Sequence, residues 1–361
     1  MIFLEDFELF GNVDQAQNFL ESVKSGRFLY SFVMSYTETC EIPGITIAGA
    51  DINSMQYTPP ADAEYLHYGF CKTIDNIPMT PDGKPTPGLL TKTALESASI
   101  PHLTINAGSK IAPQLPFIET GLSFGKNISV EPAMTDSEVS SAVEFGRIVG
   151  RNMASLTDCL VIGESIPAGT TTALAVLRAF DYDAKVSSSI PTNPTKLKNE
   201  VVNSALQRIN SDHPYSILAK VGDPMIAFVA GMLSSASAVS KVMLAGGTQM
   251  TAVLAFASKI GFNEENTAIG TTSYITNDQN ANFTNLVKQI ADIPAISVNP
   301  GLNHSKYSGL KAFSEGFAKE GVGAGGSIIS SMLKTGNDST NFLNLAEQEY
   351  GRLSAQRYPK S

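Results

Sequence analysis

Five times along this chain a continuous apolar run breaks off at small or glycine residues and a helical pattern takes over. The clearest case spans residues 160–177, LVIGESIPAGTTTALAVL. The others break at Gly246-Gly247, at Ile269-Gly270-Thr271-Thr272, at Asn299-Pro300-Gly301 and, earlier, at Asn106-Ala107-Gly108. Strands that are apolar throughout, rather than alternating, must be covered on both faces, and strands separated by helices pair in parallel. The expected fold is therefore α/β: a doubly wound, mostly parallel sheet with helices on both faces. Candidate strands are 28–34, 46–50, 103–107, 159–163, 242–245, 267–275 and 296–298, and candidate helices include 138–153, 172–179, 197–209 and 225–239. Thr135 and Glu138 form a capping box that marks one helix start. Amphipathic helices over 14–24 and 341–356 suggest a small helical subdomain built from residues 1–26 and 336–361. Residues 27–335 then form the Rossmann-like catalytic domain.

In such a sheet, ligands sit beyond the carboxyl ends of the strands, where helix N-termini point. The 160–177 segment places Gly163 and Glu164 at a strand end, then a short loop, Gly169, and Thr170, Thr171 and Thr172 at a helix start. First-turn amides and three hydroxyls suit a single phosphate. Gly163 and Gly169 enclose five residues and no lysine follows, so this is not a Walker A loop. Later, Gly321, Gly323 and Gly326 satisfy GxGxxG. A helical segment precedes them and about one helix remains afterwards, which argues against a dinucleotide site. What the stretch does isolate is Glu320, one carboxylate among small residues that let a flat ligand approach. Partial burial would raise its proton affinity and make it a candidate general base. Gly246, Gly247, Asn106, Gly108, Gly222, Asp223, Thr271, Gly321 and Gly323 complete the candidate pocket.

The formal net charge is -9, from 25 basic and 34 acidic side chains, and no basic stripe exists to neutralise a nucleic-acid backbone. Cys40, Cys71 and Cys159 are widely spaced and read as reduced thiols of a cytoplasmic protein rather than a disulfide framework. His67, His102, His213 and His304 show no metal-ligand spacing, so no metal or cofactor is expected. The opening MIFLEDFELF carries acids where a secretory signal needs bases. The uncharged stretches 224–240 and 242–258 are short and weakly apolar for membrane spans.

GESIPAGTTTALAVL, GDPMIAFVAGML, LAGGTQMTAVLA and KEGVGAGG together resemble the nicotinate-nucleotide:dimethylbenzimidazole phosphoribosyltransferases. The similarity is greatest to their archaeal and cyanobacterial-type branch, where NAGSKIAPQLPFIETG and TPPADAEYL also fit. The resemblance covers roughly residues 58–332. It implies transfer of phosphoribose from nicotinate mononucleotide to a benzimidazole-type base, small-molecule partners only, and a homodimer. It implies catalysis by Glu320 and phosphate binding at Gly163, Glu164, Gly169, Thr171 and Thr172, with Gly246 and Gly247 lining the nucleotide site. The chain departs from bacterial members at Gly222-Asp223-Pro224-Met225, where they carry Gly-Gly-x-Glu, and at Pro167. Transfer to another base such as adenine, or a non-catalytic nucleotide-binding role, stays open.

Overall fold

The computed structural model of the chain describes residues 6–49, 51–75, 78–80 and 83–357. Its centre is an eight-stranded sheet in the order β1-β8-β7-β6-β5-β2-β3-β4. The strands are β1 (Phe7–Phe10), β2 (Phe28–Met34), β3 (His102–Asn106), β4 (Ile118–Glu119), β5 (Cys159–Ser165), β6 (Lys241–Ala245), β7 (Thr267–Thr272) and β8 (Ala295–Val298). All neighbours pair in parallel except β1, which runs antiparallel to β8 with Phe7 opposite Val298. Every residue of β2 and β5 is buried, as strands covered on both faces require. The chain winds outward one way from β2 and the other way from β5, so the adjacent pair β2–β5 is the topological switch point at which open α/β sheets bind ligands.

The helices are α1 (Val13–Val23), α2 (Ile52–Met55), α3 (Thr58–Tyr68), α4 (Gly88–Ser97), α5 (Asp136–Ala154), α6 (Gly169–Ala179), α7 (Thr195–Leu206) and α8 (Pro214–Val221). They continue with α9 (Pro224–Ala236), α10 (Thr248–Ile260), α11 (Ser273–Thr276), α12 (Phe283–Ile290), α13 (Ser308–Lys311), α14 (Ala324–Thr335) and α15 (Ser339–Arg357). One core lies between the sheet and the layer containing α5–α10 and α12. The second lies under α1, α3, α4, α14 and α15. The Thr135–Glu138 capping box at the start of α5 is present in full. α5 and α9 meet backbone to backbone: a Cβ on Gly146 would lie 2.1 Å from the Phe228 carbonyl oxygen, and one on Gly231 would lie 2.3 Å from that of Val143. Among the described residues, no helix is long and apolar enough to cross a membrane.

Three expectations need correction. Residues 46–49 form no strand: Gly49 turns the chain at φ +87° and Ile47 is exposed, while Ala50 lies outside the described residues. The strand expected over 267–275 ends at Thr272 and turns into α11, because the Thr272 amide and hydroxyl are taken by Glu320 and Lys319. The glycine-rich stretch after Glu320 is preceded by a single helical turn, α13, and followed by two helices, α14 and α15. β1 extends the main sheet, and α1 and α15 enter the same core as α4 and α14; residues 1–5 and 358–361 lie outside the described residues.

Candidate functional site

The loop that follows β5 and the start of α6 define one wall of the site. Ala168, the residue before α6, adopts φ +61°, and it turns the chain so that the helix points its first residues at the sheet edge. The first-turn amides are less free than the sequence suggests: the N–H of Gly169 donates to the Ile166 carbonyl (3.2 Å) and that of Thr171 to Ala168 (2.8 Å). The three threonines have separate fates. Thr172 donates its hydroxyl to Asp223 Oδ2 (2.5 Å), and Asp223 also caps α9 by accepting the Ile226 amide (2.9 Å). Thr171 is fully buried with no partner for its hydroxyl among the described residues. Thr170 accepts a hydrogen bond from Lys198 Nζ (3.0 Å).

Lys198 is one of the residues that sequence reasoning missed. It lies on the buried stripe of α7 with Val201, Val202 and Ala205, and a lysine on an apolar stripe was the available signal. Its ammonium also donates to the Ser187 carbonyl (2.9 Å). A second buried cation, Lys319, pairs with Asp278 (2.7 Å) and reaches the Ser187 hydroxyl (3.4 Å). Burial, helped by Lys319, pushes the Lys198 ammonium down to about 7. Lys198 thus places a basic nitrogen beside Thr170, where dipoles alone were expected, while the charge of Lys319 is matched by Asp278.

The opposite wall is the 319–323 loop. Glu320 accepts the amides of Thr272 and Gly325, both at 3.0 Å. The residue as a whole is half-buried, but its carboxyl is enclosed by protein. That burial pushes its pKa up to about 7 against the pull of the Gly325 and Thr272 amides. Gly247 lies between the two walls, and a Cβ on it would lie 3.6 Å from Glu320 Cβ. Gly246 packs on Met250 in the same turn. Glu164, on β5 rather than beyond it, is buried and accepts Gln249 Nε2 (3.3 Å). Burial, then Asp223, Glu320 and Asp62, push it up to about 8. Burial also lifts Asp62 and Asp223 to about 6. Glu164 therefore shares one corner with three other carboxyls of raised proton affinity, an arrangement that can accept a proton near neutrality, while Lys198 lies on the other side of the threonine loop at Thr170.

The remaining expected residues divide. Gly321 and Gly323 flank Val322 beside Glu320, and Thr271 on β7 is buried with an unpartnered hydroxyl among the described residues. Gly222 ends α8 and serves the α8–α9 turn. Asn106 and Gly108 hold the next loop along the same sheet edge, where Gly108 also packs on Pro224. Asn106 donates to Glu119 (2.9 Å) and accepts the Ser109 amide (2.7 Å), and Gly108 packs on the Ser123 carbonyl. Both serve the β3–β4 turn, as strand-end loop residues commonly do. The three cysteines are free thiols, and no cluster of metal-binding side chains occurs among the described residues.

A buried lysine beside the threonine loop and an enclosed carboxyl on the 319–323 loop thus stand at the sheet edge where open α/β folds bind their ligands. A family model described as phosphoribosyltransferase matches residues 103–274. The chain belongs to the UPF0284 proteins. It is 44% identical over 328 residues to the UPF0284 protein of Archaeoglobus fulgidus, covering 91% of this chain and 94% of that one. To the Sulfurisphaera tokodaii protein it is 41% identical over 334 residues, covering 92% and 95%. Its fold is that of the nicotinate-nucleotide-dimethylbenzimidazole phosphoribosyltransferase from Thermus thermophilus, with a TM-score of 0.60 at 16% identity over 95% of this chain and 94% of that one.

Proposed function

We propose that this protein transfers the phosphoribosyl group of nicotinate mononucleotide to a benzimidazole-type base, releasing nicotinate and forming an α-ribazole phosphate. The observation that carries the proposal is the enclosed Glu320 carboxyl, on the same sheet edge as the Thr170–Lys198–Ser187–Lys319 cluster. Lys198, Lys319 and Thr170 would hold the 5′-phosphate, and Glu164 and Gly247 would lie along the ribose. The acceptor base attacks C1′ from the face opposite nicotinate. One base nitrogen forms the new C1′–N bond while the other loses its proton to Glu320. The C1′–nicotinate bond breaks with its electron pair passing to the pyridinium nitrogen, which becomes neutral. The ring nitrogen of the leaving group is cationic before the step and neutral after it, so positioning and one proton acceptor are the protein's main contributions. A homodimer, which rests on the resemblance, and a cytoplasmic location, which rests on the widely spaced Cys40, Cys71 and Cys159, belong to the same proposal.

The test is nicotinate release from nicotinate mononucleotide against a panel of bases that includes benzimidazoles and adenine. Wild type should turn over with at least one base. Glu320→Gln should lower kcat by at least ~100-fold while mononucleotide affinity changes by less than about threefold. Silence with every base, or a fully active glutamine variant, overturns the proposal.

A further inference from the structure

Directly after Glu320 the chain makes a turn that its own residues resist. Gly321 and Gly323 have φ of +157° and +66°, and between them Val322 stands at +53°. A β-branched side chain disfavours that left-handed conformation, so something must hold it there. Val322 is buried, and three hydrogen bonds fix its peptide groups. Its N–H donates to the Glu164 carbonyl (2.9 Å). Its own carbonyl accepts two buried hydroxyls, those of Tyr30 and of Thr91, the latter at 2.7 Å. Tyr30 comes from β2 and Thr91 from α4, so three elements converge on one peptide. The Tyr30 hydroxyl reaches it only because two neighbours lack side chains: a Cβ on Gly163 would lie 2.1 Å from that oxygen and one on Gly323 2.8 Å.

We propose that Tyr30 is a positioning residue: with Thr91 it clamps the left-handed Val322 peptide and so keeps the Glu320 carboxyl seated on the Thr272 and Gly325 amides. Tyr30 touches no reacting atom. The charged groups around this corner are Glu164 on β5, Asp62 on α3 and Glu320, with Asp223 beside Glu164. Burial, with Glu164, Glu320 and Asp62, raises the phenol well above its ordinary range, so it remains a hydrogen-bond donor wherever the enzyme works. The meaning of this clamp for turnover rests on the function proposed above; its effect on Glu320 does not.

The test therefore reads Glu320 directly. Protein carrying glutamate labelled with carbon-13 at the carboxyl is titrated by NMR, the Glu320 signal being the one lost in Glu320→Gln. In wild type the midpoint should lie near neutrality. In Tyr30→Phe the loop slackens, water reaches the carboxyl, and the midpoint should fall by about one pH unit; Thr91→Val should move it the same way. Adding Val322→Gly to Tyr30→Phe should restore the wild-type midpoint, since glycine adopts the left-handed turn without a clamp. A Tyr30 that merely filled space would give no such rescue. In parallel, kcat for nicotinate release should fall by about tenfold in Tyr30→Phe, with KM for the mononucleotide within about twofold, and recover in the double variant. A Glu320 midpoint unchanged in both single variants, or no recovery with glycine, overturns the clamp. Titrations that behave as stated in a protein that releases no nicotinate uphold the clamp and overturn the proposed reaction.

Discussion

Replacing Glu164 with glutamine should stabilise the protein, and only at higher pH. Glu164 is buried, and burial with Asp223, Glu320 and Asp62 around it raises its pKa from 4.5 to about 8. An unfolded chain ionises this carboxyl near 4.5, whereas the folded chain keeps the proton until about pH 8. The folded state thus binds more protons throughout that window, and stability falls as pH rises from about 4.5 to about 8. At about 1.4 kcal/mol per pH unit the full penalty would approach ~5 kcal/mol. Because neighbouring carboxyls share the protons, about half of that is the better expectation for Glu164 alone. Glutamine keeps the shape and the contact with Gln249 while carrying no charge to bury. Glu164→Gln should therefore match wild type at pH 4.5 and exceed it by about 2–3 kcal/mol at pH 8, which is roughly 3–4 °C in Tm for a chain of this size. Scanning calorimetry at the two pH values measures it. An equal gain at both, or a loss at pH 8, would show that the carboxyl is not held protonated by the fold.

Two further outcomes follow from the same geometry. Lys198→Met removes the buried ammonium from Thr170 and Ser187 at similar volume. Steady-state kinetics should show KM for the mononucleotide raised by roughly 10–100-fold, the worth of a charge-assisted hydrogen bond, with kcat within about twofold. Gly163→Ala drives a methyl to 2.1 Å from the Tyr30 hydroxyl and 3.0 Å from Gly323 Cα. Urea denaturation should report a loss of about 1–3 kcal/mol, and the kcat defect of Tyr30→Phe should appear with it.

How much of this was legible in the sequence depends on whether a residue's neighbours are local. β2, β5, β6 and β8 were readable because strands buried on both faces must be apolar throughout. β1 was not: four residues at a sheet edge, only Phe7 buried, leave too little pattern. α3 carries no amphipathic stripe, since eight of its residues are buried, Asp62 and Glu64 among them. Glu320 stood out because small residues isolate it. Lys198, Lys319 and Tyr30 did not, because they acquire meaning from contacts more than ten residues away, with Thr170, Ser187 and Val322. Gly163 was assigned to a phosphate loop on sequence grounds, whereas the crowding at its Cβ position comes from the Tyr30 phenol.

The seam where α5 and α9 touch main chain to main chain reaches further than its own packing. Asp223 heads α9 and holds Thr172 at the opening of α6. With carbonyls lying where methyl groups would have to go, neither rod can rotate or slip to accommodate a larger residue. Bulk introduced at Gly146 or Gly231 has to shift main chain of α5 or α9, and Asp223 at the head of α9 is carried with it. Variants at these remote glycines would then present as weakened donor binding in a folded enzyme, and a screen for activity would draw the eye to a region with no ligand in it.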